Sequence, residues 1–100
     1  MRHIGEIEPK VWAKCKEIAL KLNYPEEQDD PSHIIVKTIS TTQVIAMTGV
    51  PKAGQVQLWL QERVKYGKQD RRDALLEEDY NEAEKRALDL ISIARSQLSV

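Results

Sequence analysis

Few residues in this chain could do covalent or metal chemistry, and they are scattered. Cys15 is the single cysteine, so no intrachain disulfide can form. It stands between Val11 and Ile18 on the apolar side of a predicted helix. There a free cysteine serves as a small buried hydrophobe. A nucleophilic thiolate would need a neighbouring histidine or a basic pocket, and the spacing supplies neither. His3 and His33 are the only histidines, and with one cysteine they make no ligand set of the usual spacing. Glu26, Glu27, Asp29 and Asp30 crowd four carboxylates into five residues. That run lacks the glycine and the distal bidentate glutamate of a calcium loop, so it reads as a solvated linker. Glu77, Glu78 and Asp79 are consecutive, and consecutive residues of a helix face different directions. They suit a helix N-terminus better than a pair of catalytic carboxylates. No glycine-rich phosphate loop is present. The expectation is a protein that is not an enzyme and uses no metal or cofactor.

With catalysis set aside, charge carries the next clue. The 100 residues have net charge −1 and are 31% charged. Residues 1–32 carry net −2, residues 33–72 net +5 and residues 73–100 net −4. The basic middle holds Lys37, Lys52, Arg63, Lys65, Lys68, Arg71 and Arg72 against Glu62 and Asp70. Such a stripe suits an anionic partner. No apolar run is long enough to cross a membrane, and the first residues lack the apolar core of a signal peptide. A cytoplasmic protein with no membrane partner is expected.

The elements follow from periodicity. Val11, Trp12, Cys15, Ile18, Ala19 and Leu22 recur at spacings of three and four, which predicts a helix over 9–22 with Trp12 as a core anchor. Pro9 fits its first turn and Asn23-Tyr24-Pro25 stops it. The β-branched residues of 33–39 predict a short strand. Leu76, Tyr80, Ala83, Ala87, Leu90 and Ala94 form a heptad-like seam inside a predicted helix over 71–98. That seam implies a homodimer through residues 76–98, or a helix folded back over its own domain.

Residues 41–65 admit two readings. As helices, Val56, Trp59, Leu60 and Val64 share one face. Ser40 or Thr41 is then an N-cap and Gly67 a C-terminal stop. As strands, Val56, Leu58, Leu60 and Val64 alternate with Gln55, Gln57, Gln61 and Arg63, and Pro51-Lys52-Ala53-Gly54 is a hairpin turn. The helical reading is the main one: a mainly α chain with an N-terminal helix, a short extended segment, two helices about a turn and a long C-terminal helix. It divides into residues 1–70 and a helical segment 71–100. The alternative is an α+β fold with a three-stranded antiparallel meander at 33–65 between two helices.

Read as helices, the segment from Ser40 to Val64, with Thr48-Gly49-Val50 as its turn, resembles a helix-turn-helix DNA-binding domain. The preceding helix and extended segment match the order of winged-helix relatives. Ile45 stands where the motif usually has alanine, Val56 lies one residue late, and no wing hairpin follows Gly67. The resemblance implies that the second helix enters the major groove of double-stranded DNA. Gln55, Gln57, Gln61 and Lys65 would then reach base edges, and Lys52, Lys68, Arg71 and Arg72 would hold phosphates. The implied function is a small dimeric transcriptional regulator acting by site occupancy. The alternative is a protein–protein interaction or assembly module without nucleic-acid binding. That alternative would dock through the Leu76–Leu98 face or a sheet edge, with the Trp59 face as core; loss of Trp59 should cost about 3–5 kcal/mol.

Overall fold

The computed structural model describes residues 1–64 and 75–99. In chain order these residues form β1 (Arg2–Ile7), α1 (Pro9–Leu22), β2 (His33–Ser40), β3 (Gln43–Lys52), β4 (Gln55–Val64) and α2 (Glu77–Leu98). The strands make one antiparallel sheet in the order β1-β4-β3-β2. The fold is therefore α+β, and the meander reading holds. The mainly α reading and its helix-turn-helix do not.

The correction has a plain physical cause. In β4, Val56, Leu58 and Leu60 are buried while Gln55, Gln57, Trp59 and Gln61 are not. That is a period of two, the signature of a strand with one covered face. Gln, Leu, Glu and Arg are good helix formers, but pairing with β3 on one side and β1 on the other overrides that preference. The supposed helix signals that are described have other roles. Ser40 heads the tight β2–β3 turn, where its Oγ accepts a hydrogen bond from the Thr42 N–H at 3.4 Å. Thr48-Gly49-Val50 lies inside β3. Gly67, the expected helix stop, lies outside the described residues.

The second hairpin turns at Ala53-Gly54, between the paired residues Lys52 and Gln55. Both central residues have positive φ, 53° and 81°, as a type I′ turn requires. Glycine adopts this freely, whereas alanine is strained there. Ala53→Asn, which installs the preferred Asn-Gly pair, is expected to stabilise the fold by about 0.5–1 kcal/mol. Chemical denaturation would read this as a higher midpoint at unchanged slope; a lower midpoint would mean that the turn is not I′.

Both helices share a core with one face of the sheet. From α1 come Val11, Trp12, Cys15, Ile18 and Ala19, the residues that the helical spacing selected. Its end is an Asn23 in the left-handed conformation, and the Tyr24–Pro25 peptide is cis. Trp12 lies over Gly49 of β3. A Cβ at position 49 would stand 2.6 Å from Trp12 Cε2 and 2.7 Å from Val56 Cγ1. Gly49 is thus the floor of the tryptophan's seat.

α2 starts at Glu77 rather than at 71, with Leu76 extended at its N-cap. The Asp79 carboxylate reaches back to accept from the Leu76 N–H at 3.0 Å. Ala83, Ala87, Leu90, Ile91 and Ala94 are buried within the chain's own core. Most of the seam expected to pair two copies is therefore consumed internally, and the small alanines let the helix lie close. Polar clamps fix its register. Lys37 of β2 bonds Glu82 and lies 3.5 Å from Asp79. Arg2 of β1 bonds Asn81 at 2.9 Å and Glu84 at 3.0 Å. Arg86 bonds Glu26 at 2.5 Å and the Val36 carbonyl at 3.1 Å. Among the described residues no helix is long and apolar enough to cross a membrane.

The loop between α1 and β2 covers an edge. Gln28 accepts from the Ile35 N–H at 2.7 Å and donates to the Ile35 carbonyl at 3.0 Å. The same nitrogen, which has two hydrogens to give, is also within hydrogen-bond distance of the carbonyls of Tyr24 and Glu26, at 2.7 and 2.8 Å. One side chain thus satisfies the pair of backbone groups that β2 would otherwise offer to another strand.

Candidate interaction surface on the sheet

The sheet face away from the helices gathers the side chains with the most recognition chemistry. Pairing places them in rows across the strands. His3, Trp59, Thr48 and His33 make one row, Glu6, Gln57 and Val50 the next, and Gln61, Ala46 and Ile35 lie on the other side of it. Trp59 is only partly buried and stands outside the hydrophobic core. Its ring meets that of His3 with centroids 4.7 Å apart and planes tilted by 51°. Gln61 donates to Thr48 Oγ1 at 3.3 Å, and Gln57 to Glu6 Oε1 at 3.4 Å. The arrangement offers an aromatic platform bordered by amides and a hydroxyl. Such groups donate and accept without the desolvation cost of a charge.

The sequence-derived site residues divide cleanly. Lys52, Gln55, Gln57 and Gln61 all lie on the β3–β4 hairpin. Gln57 and Gln61 flank Trp59 on this face, while Lys52 and Gln55 sit exposed beside the turn. No recognition helix carries them, so base reading from a helix has no structural basis here. Lys65, Lys68, Arg71 and Arg72 lie outside the described residues. The helical reading also put Trp59 on the core side; the strand turns it to the opposite face. His3 and Thr48 were missed. Only the period-two pattern of 55–61, followed through to the β1 register, could have revealed them.

His33 closes one end of the row. It is buried beneath the acidic loop, with Nε2 3.6 Å from Asp29 and Nδ1 3.9 Å from Asp30. Burial lowers its pKa below the ordinary value of 6.5, Arg63 adds to that, and the two aspartates oppose it. The four-carboxylate loop is thus used structurally. Glu26 anchors Arg86, Asp30 accepts from the Ser32 N–H, and Asp29 and Asp30 flank His33. Among the described residues no group of three His, Cys, Asp or Glu side chains is placed to hold a metal ion. Cys15 is fully buried, and burial pushes its thiol up to about 11 against a small opposing effect of Arg95. Its thiol is protonated at neutral pH and poorly nucleophilic. Nothing among protein-family models, curated proteins or solved structures matches this chain.

Proposed function

We propose that this chain is an α+β protein–protein interaction module that takes part in assembly, with the Trp59 face of the sheet as its contact surface. The observation that carries this reading is the contrast between the two tryptophans. Trp12 is buried in the core, whereas Trp59 stands on the face away from α1 and α2, beside His3 and between two glutamines. Tryptophan is among the residues most enriched at interface hot spots, where a ring of weaker polar contacts surrounds it. Its neighbours suit a peptide surface, because amides and a hydroxyl can match backbone groups as well as side chains.

Trp59→Ala is the test. Because the ring is not fully buried and lies outside the core, its loss should cost about 1 kcal/mol, the scale of a cross-strand pair rather than of a core residue. Photo-crosslinking from position 57 should label a protein partner in the wild type and lose that label in the variant. A salt-titrated shift assay on mixed DNA runs alongside. Retention of DNA at low salt would overturn this reading and favour a nucleic-acid partner, since phosphate affinity is greatest there. Unfolding by Trp59→Ala would return the residue to a structural role.

A further inference from the structure

We infer that a second copy of this chain docks on the helical layer, with the two α2 helices antiparallel about a two-fold axis near Leu88. Three observations converge on that arrangement. The first is the charge order along α2. Its first part, 77–84, holds Glu77, Glu78, Asp79, Glu82 and Glu84 and no base. The remainder, 85–98, holds Lys85, Arg86 and Arg95 against Asp89. Two such helices side by side in parallel would set acid against acid. Antiparallel about residue 88, residues 77–84 lie opposite 92–99, where Arg95 is the one charged residue, so acid meets a cation rather than acid, the self-complementary condition that a two-fold interface demands.

The second observation is the groove that receives the acidic half. α1 and α2 run antiparallel, because Glu8, Lys10 and Val11 at the start of α1 share a surface pocket with Arg95, Leu98 and Ser99 at the end of α2. Lys10 therefore lies beside the basic half of α2, and Lys14 follows one turn further along α1. The pocket that would meet Glu77 and Glu78 of the second copy carries the cations Lys10 and Arg95 beside Glu8. Lys14 also bonds Glu17 of its own helix, and Lys10 lies 3.7 Å from Glu8.

The third is Leu88. It stands at the midpoint of α2 and is 46% exposed, off the buried stripe of Ala83, Ala87, Leu90, Ile91 and Ala94. At the centre of an antiparallel pair it would meet its own counterpart, with Leu98 at 40% exposure toward either end. The sheet faces carrying Trp59 then point outward on opposite sides of the dimer. Self-association and the Trp59 surface are separate, so either can fail alone.

Sedimentation velocity of the full chain tests this directly, with Leu88→Cys under mild oxidation by oxidised glutathione as the probe of geometry. The expected result is a dimer that Leu88→Cys links through residue 88, while Glu77→Cys, far from the axis, does not link to itself. Leu88→Glu should give a monomer with the helical circular dichroism retained. Two charge variants complete the test. Glu77→Lys with Glu78→Lys puts cations at the tip of α2 that meets the groove, and Lys10→Glu, Lys14→Glu and Arg95→Glu make the groove acidic. Each alone should sediment as a monomer, and an equimolar mixture should recover the dimer because both contacts are then complementary. A monomeric wild type at high concentration, or a mixture that stays monomeric, overturns the inference. So does efficient linking through Glu77→Cys, which would mean parallel helices. Trp59→Ala should leave the sedimentation unchanged.

Discussion

Trp12→Ala should destabilise the protein by about 3–5 kcal/mol, the cost of removing a large buried aromatic from a core that collapses only in part. The residue is 8% exposed, sits at the junction of α1 with β3, and packs with Val11 and Cys15 of its own helix. Domains of this size have only about 5–15 kcal/mol in total. Thermal unfolding should therefore show a melting temperature lowered by tens of degrees. A shift as small as that of Trp59→Ala would mean that the two tryptophans had been assigned to the wrong faces. The lysine beside Trp12, Lys16, has its Nζ 5.5 Å from the ring centroid. It adds little to this cost, since exposed cation–π contacts contribute about 0.5–1 kcal/mol.

Gly49→Ala is the second large effect. The added methyl would need to occupy space within 2.6 Å of Trp12 Cε2 and 2.8 Å of Trp12 Nε1, so the ring must lift or the strand must yield. Overpacking of this kind costs about 1–3 kcal/mol. The two changes should not add. With Trp12 already removed, the two contacts to its ring are gone, while Val56 Cγ1 at 2.7 Å still has to move. Gly49→Ala should then cost less than it does in the wild type. A double-mutant cycle by urea denaturation measures this coupling. Additive costs would show that Gly49 is needed for its backbone rather than for the space above it.

These two residues also show what the sequence made legible. Trp12 could be placed because α1 is a local element, with spacing, start and stop all within 9–25. Its burial, and that of Cys15, followed from helical periodicity alone. Gly49 could not be placed, because it looks like a turn residue until the α1–β3 packing is known. Residues 55–64 carry a conflict between composition and alternation. Gln, Leu, Glu and Arg favour a helix, while Val56, Leu58 and Leu60 alternate as in a strand. The contest is settled by pairing with β1, more than fifty residues away in sequence. That strand was invisible because Gly5, with φ 129°, interrupts a six-residue segment at a shift in register. The His3–Trp59 contact therefore had no local signal. The C-terminal seam was read correctly as an apolar stripe. Its partner is the chain's own sheet, and a pattern of spacings does not say which surface a stripe meets.

The Gln28 amide on the edge of β2 has a consequence for how the protein can fail. An open antiparallel sheet invites other chains to add strands at its borders, and that route leads to fibres. Here one border is occupied at Ile35 by a side chain that donates and accepts as a strand residue would. The other border, β1, is bent by the irregularity between His3 and Gly5. Because the amide is held by the Tyr24 and Glu26 carbonyls, the guard is as durable as the loop that carries it. Loosening that loop would open this border of the sheet to strand addition and so to polymerisation through its edge.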